Sequence, residues 1–253
     1  MLVMGILNVT PDSFADGGRH HDFDAAVKRG LEMIAEGVDI IDVGGESTRP
    51  GADRVSQEEE IARTIPVITE LAKHGATISI DTMRASTARA AVKAGAAMIN
   101  DVSGGLADDA MLQTAAELKV PYIAMHWRGQ SKDMNSKAVY GDVVNEVIAE
   151  LNERIDAALE AGIHKDKLII DPGIGFAKDA EHNWAIIDAI DRFVALGYPV
   201  LVGASRKRFL GGDSPDQREQ ATIELTKRLG TTGVWAVRVH SVKPHKDLVV
   251  NHG

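Results

Sequence analysis

The sequence contains no cysteine. That absence excludes disulfide frameworks, thiolate zinc sites and cysteine nucleophiles together, and it suits a chain that works in the reducing cytoplasm. Aromatic residues make up only 4% of the 253, which argues against the sugar platforms on which carboxylate pairs usually cleave glycosides. Positive charge is in deficit: 28 Lys and Arg against 37 Asp and Glu leave a formal net charge of −9. Without a basic tract, such a chain repels phosphate backbones and anionic lipid, so neither nucleic acid nor a membrane is expected as a partner. Long apolar runs are missing too. Met1–Thr10 is apolar but short and lacks a basic flank, so it is expected to form a buried first strand rather than a signal or membrane segment. No H-E-x-x-H or similar spacing occurs, and a protein-caged zinc is not expected. Nor does any linker divide the chain, which points to one domain over residues 1–253.

What is present is a strict alternation. Apolar runs at Leu2–Leu7, Val38–Val43, Thr77–Ile80, Ala97–Ile99, Tyr122–Met125, Leu168–Ile170, Pro199–Gly203 and Gly233–Val239 predict strands buried on both faces, as in a parallel sheet covered by helices. Amphipathic segments lie between them. Phe23–Glu36 is expected to be capped by Asp22 and stopped by Gly37. Ser56–Lys73 opens on a capping-box pattern with Glu59. Ser86–Lys93, Asp142–Ala161, Ala180–Leu196 and Glu219–Leu229 each run into a glycine. A short last helix follows His240. Strand–helix alternation at this length predicts a TIM (β/α)8 barrel, with a doubly wound open sheet as the alternative.

Active sites of such barrels lie at the C-terminal strand ends. Chemically capable residues stand there: Asn8, Gly44 to Arg49, Asp81, Asn100 with Asp101, His126, Asp171, Ser205-Arg206-Lys207, and Arg238 with His240. In this fold the loops after strands seven and eight often hold phosphate, and the cations stand out against an acidic chain. Arg238 and His240 are two apart, so a strand would aim them the same way. Asp81, Asn100 and Asp171 fit acid–base chemistry, a metal, or a grip on a ligand edge rich in N–H donors; the residue types do not choose. Asp81 could also simply cap the next helix. His126 reads as a core histidine and is given no role, and His20, His21, His74 and His252 read as surface. Two loops rich in Gly, Pro and Asp, Asn8–Gly18 and Gly44–Gly51, have no apolar period and read as lids.

An ordered series of motifs closely resembles the dihydropteroate synthases of the folate pathway. It comprises Met4–Phe14, Gly45–Gly51, Ser79–Thr82, Ile99–Gly104, Met125-His126, Asp171–Phe176, Ser205–Lys207 and Arg238–His240. The resemblance implies that a dihydropterin pyrophosphate is joined to p-aminobenzoate, with 7,8-dihydropteroate and pyrophosphate as products. By the same resemblance Asp81, Asn100, Met125, Asp171 and Lys207 hold the pterin. Phe14, Thr48, Arg49, Pro50, Phe176 and Ser205 form the p-aminobenzoate pocket. Asn8, Thr48, Arg49, Arg238 and His240 receive pyrophosphate, Asn8 also binds Mg2+, and Asp16, Lys207, Arg238 and His240 serve catalysis. A homodimer is implied as well. Ser241 stands where the family usually has Asp, and Arg208 where it often has Ser. A pterin-dependent methyltransferase domain would not need the cations, and a non-catalytic pterin-binding paralogue would have lost some of them.

Overall fold

The computed structural model describes the backbone of residues 1–10, 18–46, 54–130 and 134–250, with side chains left aside at 18–21, 134–135 and 250. Strands β1 (Leu2–Asn8), β2 (Ile40–Gly44), β3 (Ile78–Asp81), β4 (Met98–Asp101), β5 (Tyr122–Met125), β6 (Leu168–Asp171), β7 (Leu201–Val202) and β8 (Ala236–Val239) form one sheet in the order β6-β5-β4-β3-β2-β1-β8-β7. Every junction is parallel. The two ends meet in a parallel bridge between Ile170 and Val200, where the Ile170 N–H donates to the Pro199 carbonyl at 3.0 Å. The sheet therefore closes on itself, and the expected TIM barrel is the fold.

Helices α1 (Gly18–Ala35), α2 (Gln57–Lys73), α3 (Ala85–Ala94), α4 (Met111–Leu118), α5 (Val143–Glu160), α6 (Ala180–Asp188), α7 (Ile190–Val194), α8 (Pro215–Leu229) and α9 (Lys243–Val250) surround it. Their ends follow local chemistry. The Ser56 and Asp142 side chains accept the N–H groups of Glu59 and Asn145 at the heads of α2 and α5. Several expectations need correction. Asp22 lies inside α1 and does not cap it. The segment expected as one helix over Ala180–Leu196 breaks at Ala189, whose φ of −105° and ψ of 22° leave the helical range. Helix α8 starts before Glu219, because Ser214 and Gln217 make a reciprocal capping box with Pro215 in the first turn. Helix α4 was not anticipated; it is short and ends on Lys119, a non-glycine at φ 56°.

Strand side chains alternate, and the two faces have different jobs. Outward residues such as Val3, Leu7, Ile41, Val43, Ile78, Ile80, Tyr122 and Val237 pack with the helices in one large cluster. Inward residues Met4, Ile40, Met98, Ile123, Ile169, Leu201 and Ala236 form a separate plug inside the barrel. Above that plug the inward positions turn polar: Asp42, Ser79, Asp81, Asn100, Asp171 and Arg238. The pairings Asp42↔Ser79, Gly44↔Asp81, Asp81↔Asn100 and Met125↔Asp171 hold these residues near one level. An apolar floor thus carries a polar mouth.

Candidate active site

Arg238 organises one side of that mouth. Its Nε donates to Asp42 Oδ2 at 2.6 Å and its Nη2 to Asp81 Oδ2 at 2.7 Å. Asn100 Nδ2 reaches the same Asp42 oxygen at 2.9 Å. One guanidinium therefore ties β2, β3 and β8 together, with β4 joined through Asn100. Asp81 does not cap the following helix; Arg84 occupies that position at the head of α3. Burial pushes the Asp81 carboxyl up to about 7, while Arg238 opposes the rise and the carboxylates of Asp42, Glu60 and Asp101 add to it. Burial also works against charge on Arg238, but Asp42 and Asp81 hold it above its ordinary value, so it stays a cation.

Two buried polar atoms in this region have no partner among the described residues: Asp42 Oδ1 and Ser79 Oγ. Their residues face each other across β2 and β3. A buried acceptor without a donor costs about 1–3 kcal/mol, and an N–H or O–H group brought to these atoms would relieve that cost. Sequence reasoning missed Asp42. The available signal was a carboxylate inside the apolar run Ile40-Ile41-Asp42-Val43, where an unpaired charge is too costly to place without a purpose.

The second wall is a turn after β6. Asp171 Oδ1 accepts the Gly173 N–H at 2.7 Å, and burial raises the Asp171 carboxyl against the pull of Lys207, Lys178 and Arg238. Gly203, just past the end of β7, lies between Asp171 and Arg238: a Cβ there would be 3.9 Å from Asp171 Oδ2 and 3.8 Å from Arg238 Cβ. Lys207 crosses the mouth to the turn. Its Nζ donates to the Ile174 carbonyl and sits 4.4 Å from the centre of the Phe176 ring. Burial pulls this ammonium down to about 7, with Asp171 pulling it back up and Arg238 lowering it. Met125, Met83 and Val102 form a small apolar cluster against which Phe176 packs. A flat ring would find an apolar face there and a polar edge beside it.

His240 lies beyond Arg238. Its Nδ1 is 3.0 Å from Ser205 Oγ, and its N–H donates to that oxygen at 3.2 Å. Ser205, expected to line a second-substrate pocket, is therefore engaged with the histidine. Ser241 accepts Arg206 Nη2 at 2.7 Å, while Arg206 Nε holds Glu219 at 2.5 Å. Asn8 turns its amide toward the same mouth: a Cβ on Gly44 would be 3.7 Å from Asn8 Oδ1 and 3.5 Å from Asp81 Oδ2. Among the described residues no cluster of three His, Asp or Glu side chains could hold a metal. Phe14, Asp16, Thr48, Arg49 and Pro50 lie outside the described residues. So the structure brings together Asn8, Asp81, Asn100, Met125, Asp171, Phe176, Lys207 and Arg238, with Ser205 and His240 adjoining.

Three comparisons bear on what this mouth is. A family model described as "Pterin binding enzyme" matches residues 4–240. A dihydropteroate synthase of Mycobacterium leprae is 51% identical, over 97% of this chain and 90% of that protein. A solved dihydropteroate synthase from Xanthomonas albilineans, bound to 4-aminobenzoic acid, superposes with a TM-score of 0.93 at 45% identity, over 99% of this chain and 91% of that one. The same enzyme in complex with 7,8-dihydropteroate gives 0.90 at 41% identity, over 99% and 92%. With residues of all eight strands and the described mouth inside the matched span, the chain belongs to the dihydropteroate synthase family of pterin-binding enzymes.

Proposed function

We propose that this protein condenses 6-hydroxymethyl-7,8-dihydropterin pyrophosphate with p-aminobenzoate, giving 7,8-dihydropteroate and pyrophosphate. One observation carries the reading: an edge of acceptors and one amide (Asp42, Asp81, Asn100, Asp171) meets a cationic rim (Lys207, Arg238, with His240 beside it) across one apolar floor. A pterin offers N–H donors along one edge and a flat ring for Met125 and Phe176. Its pyrophosphate would lie toward Arg238 and His240, and Lys207 would stand between the two parts.

The chemistry follows from charge. Heterolysis of the CH2–O bond sends its electron pair out with pyrophosphate, and cations aimed at that oxygen lower the barrier. The dihydropterin ring delocalises the positive charge left on the CH2 group. The aniline nitrogen of p-aminobenzoate then forms the new C–N bond with its lone pair and sheds one proton. A neutral aromatic amine is already nucleophilic, so no strong base is needed; Asp16 is assigned to stabilise the cation or accept that proton. Phe14, Thr48, Arg49 and Pro50 are assigned to the p-aminobenzoate pocket, and Thr48 and Arg49 also to pyrophosphate.

Mg2+ fits this donor set only as an ion that arrives with the substrate. Asn8 supplies a single amide oxygen, and such an ion commonly keeps waters and phosphate oxygens as its other ligands. It would share the charge of the leaving group. A cytoplasmic homodimer belongs to the same proposal. The cysteine-free composition supports the location, and among the described residues no helix is long and apolar enough to cross a membrane. The exposed Trp184, stacked edge-on against Phe209 at 5.4 Å, supports a contact surface in the C-terminal half.

The deciding experiment measures pyrophosphate release from the dihydropterin pyrophosphate with and without p-aminobenzoate. Equal amounts of pyrophosphate and dihydropteroate are expected, and only when both substrates are present. Lys207→Ala and Arg238→Ala should each lower turnover by more than about tenfold. No dihydropteroate from the wild-type protein would leave a methyltransferase or a non-catalytic binder in its place.

A further inference from the structure

Behind the turn that carries Asp171 and Phe176 lies a buried charged chain that the condensation does not use. Lys178 is 8% exposed and His126 1%. Lys178 Nζ donates to the Gly173 carbonyl at 3.1 Å and to the Phe176 carbonyl at 3.1 Å, and it lies 2.8 Å from His126 Nδ1. An ammonium has three N–H groups and no acceptor, so these three partners use it completely. His126 Nδ1 must then present its lone pair, which leaves the proton on Nε2. That nitrogen is 2.9 Å from Glu150 Oε2 on α5, so the ring donates to a carboxylate. Arg128 in turn holds Glu150 through Nε at 3.0 Å, reaches Glu146 at 2.9 Å, and lies 3.8 Å from the centre of the Tyr140 ring.

The turn itself needs such support. Gly173, Gly175 and Ala177 all have positive φ, of 70°, 79° and 47°, and Ala177 has no conformational excuse for it. A Cβ on Gly173 would collide with the His126 carbonyl, and one on Gly175 would come within 2.5 Å of Lys207 Cδ. Five polar backbone groups of the turn are held by named side chains. Gly173 N–H goes to Asp171, Gly175 N–H to Asn183 at 2.6 Å, the Ala177 carbonyl to Tyr140 at 3.0 Å, and the Gly173 and Phe176 carbonyls to Lys178. Lys207 presses on the turn from the mouth; Lys178 grips it from the barrel wall.

We propose that Lys178, backed by His126 and Glu150, is a positioning residue that sets the height and tilt of the Asp171–Ala177 turn, and through it the seat of the pterin. This rests on the pterin reading of the mouth. Lys178 touches no substrate. It acts by fixing the Asp171 carboxylate and the Phe176 ring relative to β5, much as outer partners orient the ligands of a metal. Burial first, then the charges of Lys178 and Arg128, lower His126 to about 4 against the opposing pull of Glu150. Burial brings Lys178 down to about 7 among Asp171, Lys207, Arg128 and Glu150. His126 is therefore neutral above about pH 4, and Lys178 is the three-donor ammonium below about pH 7, the range in which this hydrogen-bond pattern holds.

The test uses the full chain and two readouts. Nitrogen NMR of the imidazole should find His126 neutral with its proton on Nε2 near pH 6. In Lys178→Met its titration midpoint should rise clearly above about 4 as the neighbouring cation is lost. Calorimetry with 6-hydroxymethylpterin and, separately, inorganic pyrophosphate should show Lys178→Met weakening the pterin by about tenfold, and pyrophosphate by less than about twofold. Glu150→Gln, a substitution of nearly unchanged size at a side chain one-third exposed, should weaken the pterin by about threefold in the same pattern. It decides the matter if Lys178→Met does not fold. Unchanged pterin affinity in these variants, or equal losses for both ligands, overturns the proposal. A wild-type protein that binds no hydroxymethylpterin overturns the functional reading instead, and His126 can still be titrated in it.

Discussion

Asp42 shows how one residue can be both structural and functional. Its Oδ2 accepts from Arg238 and Asn100, and its Oδ1 has no donor among the described residues. Asp42→Asn keeps the shape and removes the charge. It should lower stability by about 2 kcal/mol, the scale of a hydrogen bond to a charged group, and reduce turnover by more than about tenfold. Urea unfolding and a pyrophosphate-release assay would measure these; wild-type values in both would mean that Arg238 does not depend on it. Lys207 makes a prediction about pH. Its folded value of about 7 lies below the ordinary 10.5, so the folded protein binds fewer protons than the unfolded chain between those values. Lys207 therefore costs stability below pH 7, and the cost fades as pH rises toward 10.5. Affinity for the pyrophosphate anion runs the other way, falling above pH 7 as the ammonium is lost. Calorimetry from pH 6.5 to 9 should show a steeper fall in the wild type than in Lys207→Arg, whose charge persists. Equal slopes would remove Lys207 from the anion site. At this scale the sequence was legible wherever a polar residue closed an apolar run, as Asp81, Asn100 and Asp171 do. It was silent about Lys178, because a lysine two residues past Phe176 looks like any solvated one until the chain is folded around it.

Among the elements, strands were read more accurately than helix ends. Tyr122–Met125 matches β5 at both ends because Pro121 before it and a polar stretch after it delimit an unbroken apolar run. Pro199–Gly203 shrank to Leu201–Val202, since Pro199 cannot donate to a ladder and Gly203 has already turned toward the mouth. The break at Ala189 leaves no mark in the apolar period, and the early start of α8 depends on a capping pair that periodicity does not weigh. That pair is testable. Ser214→Ala removes the acceptor of the Gln217 N–H and should destabilise the protein by about 1 kcal/mol, read as a shift in the urea midpoint with turnover unchanged. Gly173→Ala should behave in the opposite manner. Its φ of 70° and the backbone collision with His126 act on the turn below the pterin, so hydroxymethylpterin affinity should fall by more than about tenfold, while pyrophosphate affinity is retained. An unaffected pterin affinity would mean that the turn does not seat the ring.

For the whole molecule, the alternation of eight apolar runs made the barrel legible, and the polar upper layer made its working end legible. What could not be read was how tightly the ring shuts. Strands β1 and β2 are joined by five register pairs, β7 and β8 by two, and β6 meets the β7 segment through a single bridge between Ile170 and Val200. Hydrogen exchange should find the amides around Val200–Val202 less protected than those of β1 and β2, with protection rising when pterin and pyrophosphate are both bound. Uniform protection around the ring would contradict this. The reason is mechanical. A hoop carries its load through every joint in series, so its stiffness is governed by the slackest one. In this hoop the slack joint lies between Asp171 on one side and Gly203 and Lys207 on the other. A substrate touching both sides would serve as a clasp, and occupancy of the mouth would be felt as rigidity on the far side of the barrel.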